Sequence, residues 1–217
     1  EASARAFLTA LLFRRLPGSL LIICAQEDQA RAFARDASLF LGEDNVIYYP
    51  PSAYFAVDVF SFAREEELTR LALLARLQTE QKTLVVTCVD SLLEKIIPVD
   101  VFAANTRVVS RGNLLDTEEL AVFLSAAGYR RVSLVEETGE FSMRGNIIDV
   151  FSPREKNPVR LEMSADEIES LRVFDISSQR SLHEVDSCVL SPASQIIVSK
   201  EKTAQAVRNI KARADEL

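Results

Sequence analysis

Two short runs built wholly of apolar residues limit what the first half of this chain can become. Residues 20–24 read LLIIC and residues 84–86 read LVV, both of strand length. Strands without polar alternation are buried on both faces, which implies a parallel sheet covered by crossover helices. The neighbouring segments supply that cover. Residues 4–15 carry a helical stripe of Phe7, Leu8, Leu11 and Leu12, broken by Pro17-Gly18. Residues 26–41 put Ala30, Phe33, Ala34, Ala37 and Leu41 on roughly one face and end at Gly42. Residues 62–77 bring Leu68, Leu71, Leu74 and Ala75 together. Glu65, Glu66 and Glu67 then fall in the opening turn, where the helix dipole favours acids. A strand over 46–49 and a short helix near 91–95 complete an α/β layer.

After Pro98 the texture changes. A strand is expected over 106–110. Asp116 and Glu119 have capping-box spacing before a helix whose stripe is Leu120, Phe123, Leu124 and Ala127, closed by Gly128. The chain is then strand-rich: 131–135, 140–143, 146–151, 159–163 and 168–174. Val159, Leu161 and Met163 alternate with Arg160, Glu162 and Ser164, the pattern of a half-buried strand. Residues 152–158 read as a hairpin loop. This second unit is expected to be α+β, one antiparallel sheet with one helix.

Composition excludes several classes. With 48% hydrophobic and 26% charged residues and only 6 Gly and 7 Pro, the chain is neither disordered nor fibrous. A net charge of -7 disfavours a bulk electrostatic grip on nucleic acid. No apolar run approaches the ~18–20 residues of a membrane span. One histidine, His183, and three scattered cysteines, Cys24, Cys88 and Cys188, cannot make a zinc site. No metal or cofactor is expected, and the cysteines read as buried, reduced thiols of a cytoplasmic protein. The chain opens and closes inside helical patterns, so both ends are expected to have been cut from something longer.

Chemistry is sparse. There is no G-x-x-x-x-G-K-[ST] phosphate loop and no G-x-S-x-G elbow, and one histidine leaves little for general-base work. Glu65-Glu66-Glu67, Glu136-Glu137 and Asp166-Glu167-Ile168-Glu169 read as solvated charge rather than metal ligands. His183, in RSLHEVD, reads as solvated or locally hydrogen-bonded. No catalytic residue is assigned.

One stretch is distinctive: Phe141-Ser-Met-Arg144-Gly145-Asn-Ile-Ile-Asp149-Val-Phe151, then Arg160-Leu-Glu162, then Asp166-Glu-Ile-Glu-Ser-Leu-Arg172-Val-Phe174-Asp175, with Ser178-Gln179-Arg180 following. It resembles the amino-terminal module of the bacterial transcription-repair coupling factor family (Mfd), itself similar to the excision-repair protein UvrB. The likeness is weak over 1–100 and strong over 106–190. It implies a partial, degenerate RecA-like α/β domain over 1–105, a UvrA-binding α+β domain over 106–190, and a return segment over 191–217. Arg5 and Ala6 stand where UvrB has the lysine and threonine of its phosphate loop. Residues 48–60, YYPPSAYFAVDVF, are too few for the damage-probing hairpin of UvrB.

The resemblance implies a non-catalytic module that recruits UvrA to stalled RNA polymerase, with RNA polymerase and DNA held by other domains of the intact protein. The isolated fragment would be a monomer that touches no membrane. The partner surface falls on Arg144, Arg160 and a position, often aromatic, occupied here by Ser164. A simple hairpin over 152–157 would bring Arg144 and Ser164 close. An arginine fork suits bidentate capture of a partner carboxylate. The alternative is internal, a salt bridge from Arg160 to Asp149 or Glu162. Phe141 and Phe151 read as core rather than exposed anchors. The basic tail (Lys200, Lys202, Arg208, Lys211, Arg213) reads as a solvated helix face, with DNA contact as the alternative. Two other functions stay open: a divergent nucleotide-binding or helicase half, and a UvrB-like damage-handling protein.

Overall fold

The computed structural model describes residues 2–51, 60–79 and 81–197, with 207, 208, 210 and 213. The chain forms two compact units, Glu1–Ile96 and Ile97–Leu217. Residues 52–59, Lys200, Lys202 and Lys211 lie outside the described residues, and with them most of the segment too short for a hairpin and much of the basic tail.

The first unit runs α1 (Ala2–Arg15), β1 (Leu20–Cys24), α2 (Glu27–Leu41), β2 (Val46–Tyr49), α3 (Phe60–Leu77), β3 (Leu84–Cys88) and the single turn α4 (Val89–Leu92). Its three strands make a parallel sheet in the order β1-β3-β2. Central β3 is buried at every position, Thr87 included, in keeping with the apolar run over 84–86. One sheet face packs with Ala6 and Phe13 of α1 and Ala30, Ala34 and Ala37 of α2. The small alanines let the helix lie close to the strands. On the opposite face Leu73 of α3 meets Tyr49 and Val85.

Three details differ from the sequence reading. Edge strand β1 buries one face only: Leu20, Ile22 and Cys24 join the core, while Leu21 and Ile23 are exposed. On α1 the small Ala6 and Ala10 and the ring of Phe13 are buried, and the stripe of Phe7, Leu8, Leu11 and Leu12 faces outward. Because α3 begins at Phe60, its three glutamates fall beyond the first turn, away from the dipole's positive end.

The second unit runs α5 (Val99–Ala104), β4 (Arg107–Ser110), α6 (Thr117–Ala126), β5 (Arg130–Arg131), β6 (Glu140–Arg144), β7 (Ile147–Val150), β8 (Val159–Ser164), β9 (Glu167–Phe174), β10 (Ser181–Glu184) and β11 (Ser187–Leu190). The main sheet has six strands in the order β10-β9-β8-β7-β6-β5. It is antiparallel except for β5, which pairs parallel with β6, because residues 132–139 cross over instead of turning back. The strand expected over 131–135 is thus two residues long. β4 does not join this sheet but pairs with β11 in a separate two-stranded one.

Register gives the six-stranded sheet two unlike faces. Phe141, Ile148, Val150, Val159, Leu161 and Leu171 share the fully buried one. Leu120 and Leu124 of α6 are also fully buried. Asp116 caps α6, accepting from the amides of Glu118 and Glu119 at 2.8 and 3.0 Å. Glu119 does not close the expected reciprocal box. Its carboxylate goes to Arg107 at 2.6 Å, whose guanidinium also covers the Phe123 ring.

Gly128 ends that helix at φ +90, and a Cβ there would lie 2.4 Å from Ser194 Cβ and 2.9 Å from its backbone nitrogen. The close approach lets Ala193 N–H donate to the Ala127 carbonyl at 2.8 Å and Tyr129 O–H to the Ser191 carbonyl at 2.6 Å. Burial pushes the Tyr129 phenol well above its ordinary range. Gly128→Ala therefore meets both an unfavourable backbone angle and a backbone clash. It is expected to cost about 2–4 kcal/mol, read from urea denaturation of the second unit.

Candidate protein-docking face of the second unit

The face opposite the apolar one carries charge. Cross-strand register places Ser142, Asp149, Arg160 and Arg172 in one row, with Arg144, Ile147, Glu162 and Ser170 in the next. Gly145 makes the tight β6–β7 hairpin possible. It holds the first position of a two-residue loop at φ +59, where nothing lies within 4 Å of a would-be Cβ.

Asp149 is the centre of this face, and its side chain has no solvent exposure. Arg160 grips it with two bonds, Nε to Oδ1 at 2.7 Å and Nη2 to Oδ2 at 3.0 Å. Arg144 adds Nη2 to Oδ2 at 2.8 Å. The Arg160 guanidinium also sits 4.6 Å from the centre of the Phe174 ring. The hydrogen bond to Asp149 raises the Arg160 pKa against the opposing effect of burial. The cluster holds two cations and one anion, a net positive charge of one.

The two arginines are not equivalent. The Arg160 side chain is 17% exposed, while that of Arg144 is 49% exposed. Ser164 is exposed at the end of β8. Met163, beside it, donates its amide to the Asn146 carbonyl at 2.8 Å, so Ser164 lies at the same end of the sheet as the Arg144 turn, with β7 between their strands. Of the two internal partners open to Arg160, the structure uses Asp149. Glu162 instead accepts from Ser170 at 2.7 Å and pairs with Arg172 at 3.5 Å. Arg172 reaches on to Glu184 at 3.4 Å.

At the other edge Glu140 is buried and accepts from Arg130 and from the amides of Glu136 and Glu137 at 2.9 and 2.8 Å. Burial pushes the Glu140 pKa up, but those hydrogen bonds outweigh it, and the carboxyl sits below its ordinary range.

The remaining sequence candidates fall into place. Phe141 and Phe151 are buried, the latter in a small cluster with Val135 and Phe174. His183 is exposed on β10. The three cysteines are free; Cys88 and Cys188 are buried as expected, but Cys24, on edge strand β1, is only half-buried, and burial raises the Cys188 thiol to about 12. Among the described residues no group of three His, Cys, Asp or Glu side chains could hold a metal ion. Among them, too, no helix is long and apolar enough to cross a membrane. In the sequence Arg172 and Phe174 stand out only as part of a motif. Their roles follow from β8–β9 register, which sequence periodicity leaves open.

This charged face, with the half-exposed Arg144 at one end, lies within a segment shared with known proteins. Residues 108–196 match the family model of the UvrB interaction domain. Beyond that segment, nearly the whole chain is similar to transcription-repair-coupling factors. It is 34% identical to that of Myxococcus xanthus over 224 residues, all of this chain and 19% of the relative. It is 29% identical to that of Bacillus subtilis (strain 168) over 210 residues, 97% of this chain and 18% of the relative. With that of Escherichia coli (strain K12) the figures are 32% over 198 residues, 91% and 17%. The chain thus spans about a fifth of the length of the curated relatives it matches, and the resemblance read from its motifs holds.

Two expectations follow from the geometry. Arg160→Ala leaves a buried carboxylate half-compensated and should cost about 2–3 kcal/mol of stability, whereas Arg144→Ala should cost less than about 1 kcal/mol; chemical denaturation of both variants checks this. Glu140, with its lowered pKa, contributes stability at neutral pH that is lost as pH falls through the folded-state value. The stability gap between wild type and Glu140→Gln should therefore be widest near neutrality and close in acid, as a denaturation series over pH reads directly.

Proposed function

We propose that residues 106–190 are a docking surface for the excision-repair protein UvrA, and that the chain is a non-catalytic adaptor in transcription-coupled repair. Its task in the intact protein would be to bring UvrA to stalled RNA polymerase, with polymerase and DNA held by other parts, in the cytoplasm. Residues 1–105 would be a degenerate nucleotide-binding-like layer, and 191–217 the start of a return to it.

The observation that carries this reading is the half-exposed Arg144 fixed on a buried carboxylate, inside the segment that matches the UvrB interaction domain. A planar fork held at a surface suits bidentate capture of a carboxylate on the partner. Arg160 and the exposed Ser164 extend the surface. The sequence adds support, for it carries no phosphate loop with which to bind nucleotide.

Arg144→Ala is expected to weaken binding to purified UvrA by about 2 kcal/mol, roughly thirtyfold, with little change in folding stability. Arg160→Glu should abolish it. Calorimetry on the 217-residue chain decides. Wild-type affinity in both variants removes the assignment, and micromolar ATP binding by the chain would favour a nucleotide-binding role instead.

A further inference from the structure

We infer that Asp149 is the positioning residue of this surface: it holds Arg144 in the orientation that meets an acidic group on the partner, and Arg160 serves as the second clamp on the same carboxylate. The inference rests on the docking role proposed above and assigns a new residue to it.

Asp149 interrupts an apolar run, Ile147-Ile148-Asp149-Val150-Phe151, and is wholly buried. A carboxylate there has lost its water and must be compensated by the protein. Its register neighbour Ser142 offers nothing, because the buried Ser142 hydroxyl makes no hydrogen bond. Among the described residues, the hydrogen bonds to the Asp149 carboxylate come from the two arginines. Arg160 spends its Nε and Nη2 on Asp149 and sets its guanidinium over the Phe174 ring, so its orientation is fixed and its side chain mostly covered. Arg144 spends one N–H of its five on Asp149 and keeps about half of its side chain in solvent. That is the arrangement of a presented guanidinium. One bond removes rotamer freedom that a loose arginine would lose on binding, and the rest of the fork is left to the ligand.

The idea has a sign that simple attraction does not share. Asp149→Asn removes a negative charge and takes the cluster from a net charge of one to two. If the surface worked by charge alone, an acidic partner would bind this variant more tightly. If Asp149 positions Arg144, binding weakens although positive charge has increased.

The experiment is calorimetry of the 217-residue chain with purified UvrA at fixed ionic strength, for wild type, Asp149→Asn, Arg144→Ala and the double variant. Asp149→Asn is expected to bind at least tenfold more weakly than wild type. In the Arg144→Ala background the further loss should be much smaller, because the larger part of its effect runs through Arg144. Affinity equal to or tighter than wild type overturns the inference, as does an equal loss in both backgrounds, which marks a merely structural role. Should Asp149→Asn fail to fold, nitrogen relaxation of the Arg144 side chain in the wild-type chain decides. Order close to that of the backbone supports the pinned arginine, and free rotation overturns it. If wild type itself does not bind UvrA, the docking role fails, while the relaxation measurement still tests whether Asp149 pins Arg144.

Discussion

A carboxylate buried in the middle of a β-sheet keeps its charge only if cations come to it, and this requirement organises the second unit. Asp149 lies on β7, an interior strand of the row running from β6 to β9. Arg160 is its directly paired neighbour on β8, and Arg144 reaches it from the end of β6. A slip of one residue between these strands would turn Asp149 toward the face of Ile148 and Leu161 and leave both arginines without it. The ion cluster and the apolar face therefore enforce the same register.

The same face repeats that logic across its width. Arg130 with Glu140, Arg144 and Arg160 with Asp149, and Arg172 with Glu162 and Glu184 tie successive strands together. The pairs differ in weight. Glu140 and Asp149 are buried and hold their partners in one geometry, whereas Arg172 and Glu184 are partly solvated at longer distance and contribute little. The ion pairs lace this face beside the small apolar cluster of Val135, Phe151 and Phe174, and they leave Arg144 outward at one end.

The first unit follows a different constraint. Its central strand is closed on both faces by α1 and α2 on one side and α3 on the other, but edge strand β1 and the outer stripe of α1 keep exposed leucines and isoleucine. Apolar patterning predicted that these residues would be buried. Patterning registers how much apolar surface a segment offers, and it is silent on whether a neighbour is present to cover it.

The sequence by itself determined the two textures, the parallel layer and the strand-rich unit. It also determined the Asp116 cap, the Phe141 and Phe151 core positions, and the arginines that the UvrB-like motif singles out. These are local properties, set by periodicity, capping chemistry and residue type. Tertiary structure decided what depends on strand order and register. β4 left the main sheet for β11, β5 paired parallel, and Glu119 turned to Arg107. Above all, of the two acids within reach of Arg160, pairing across β7 and β8 chose Asp149, and so made one arginine a clamp and left the other half in solvent. No spacing along the chain encodes that division, because it arises only when three strands bring their side chains to one carboxylate.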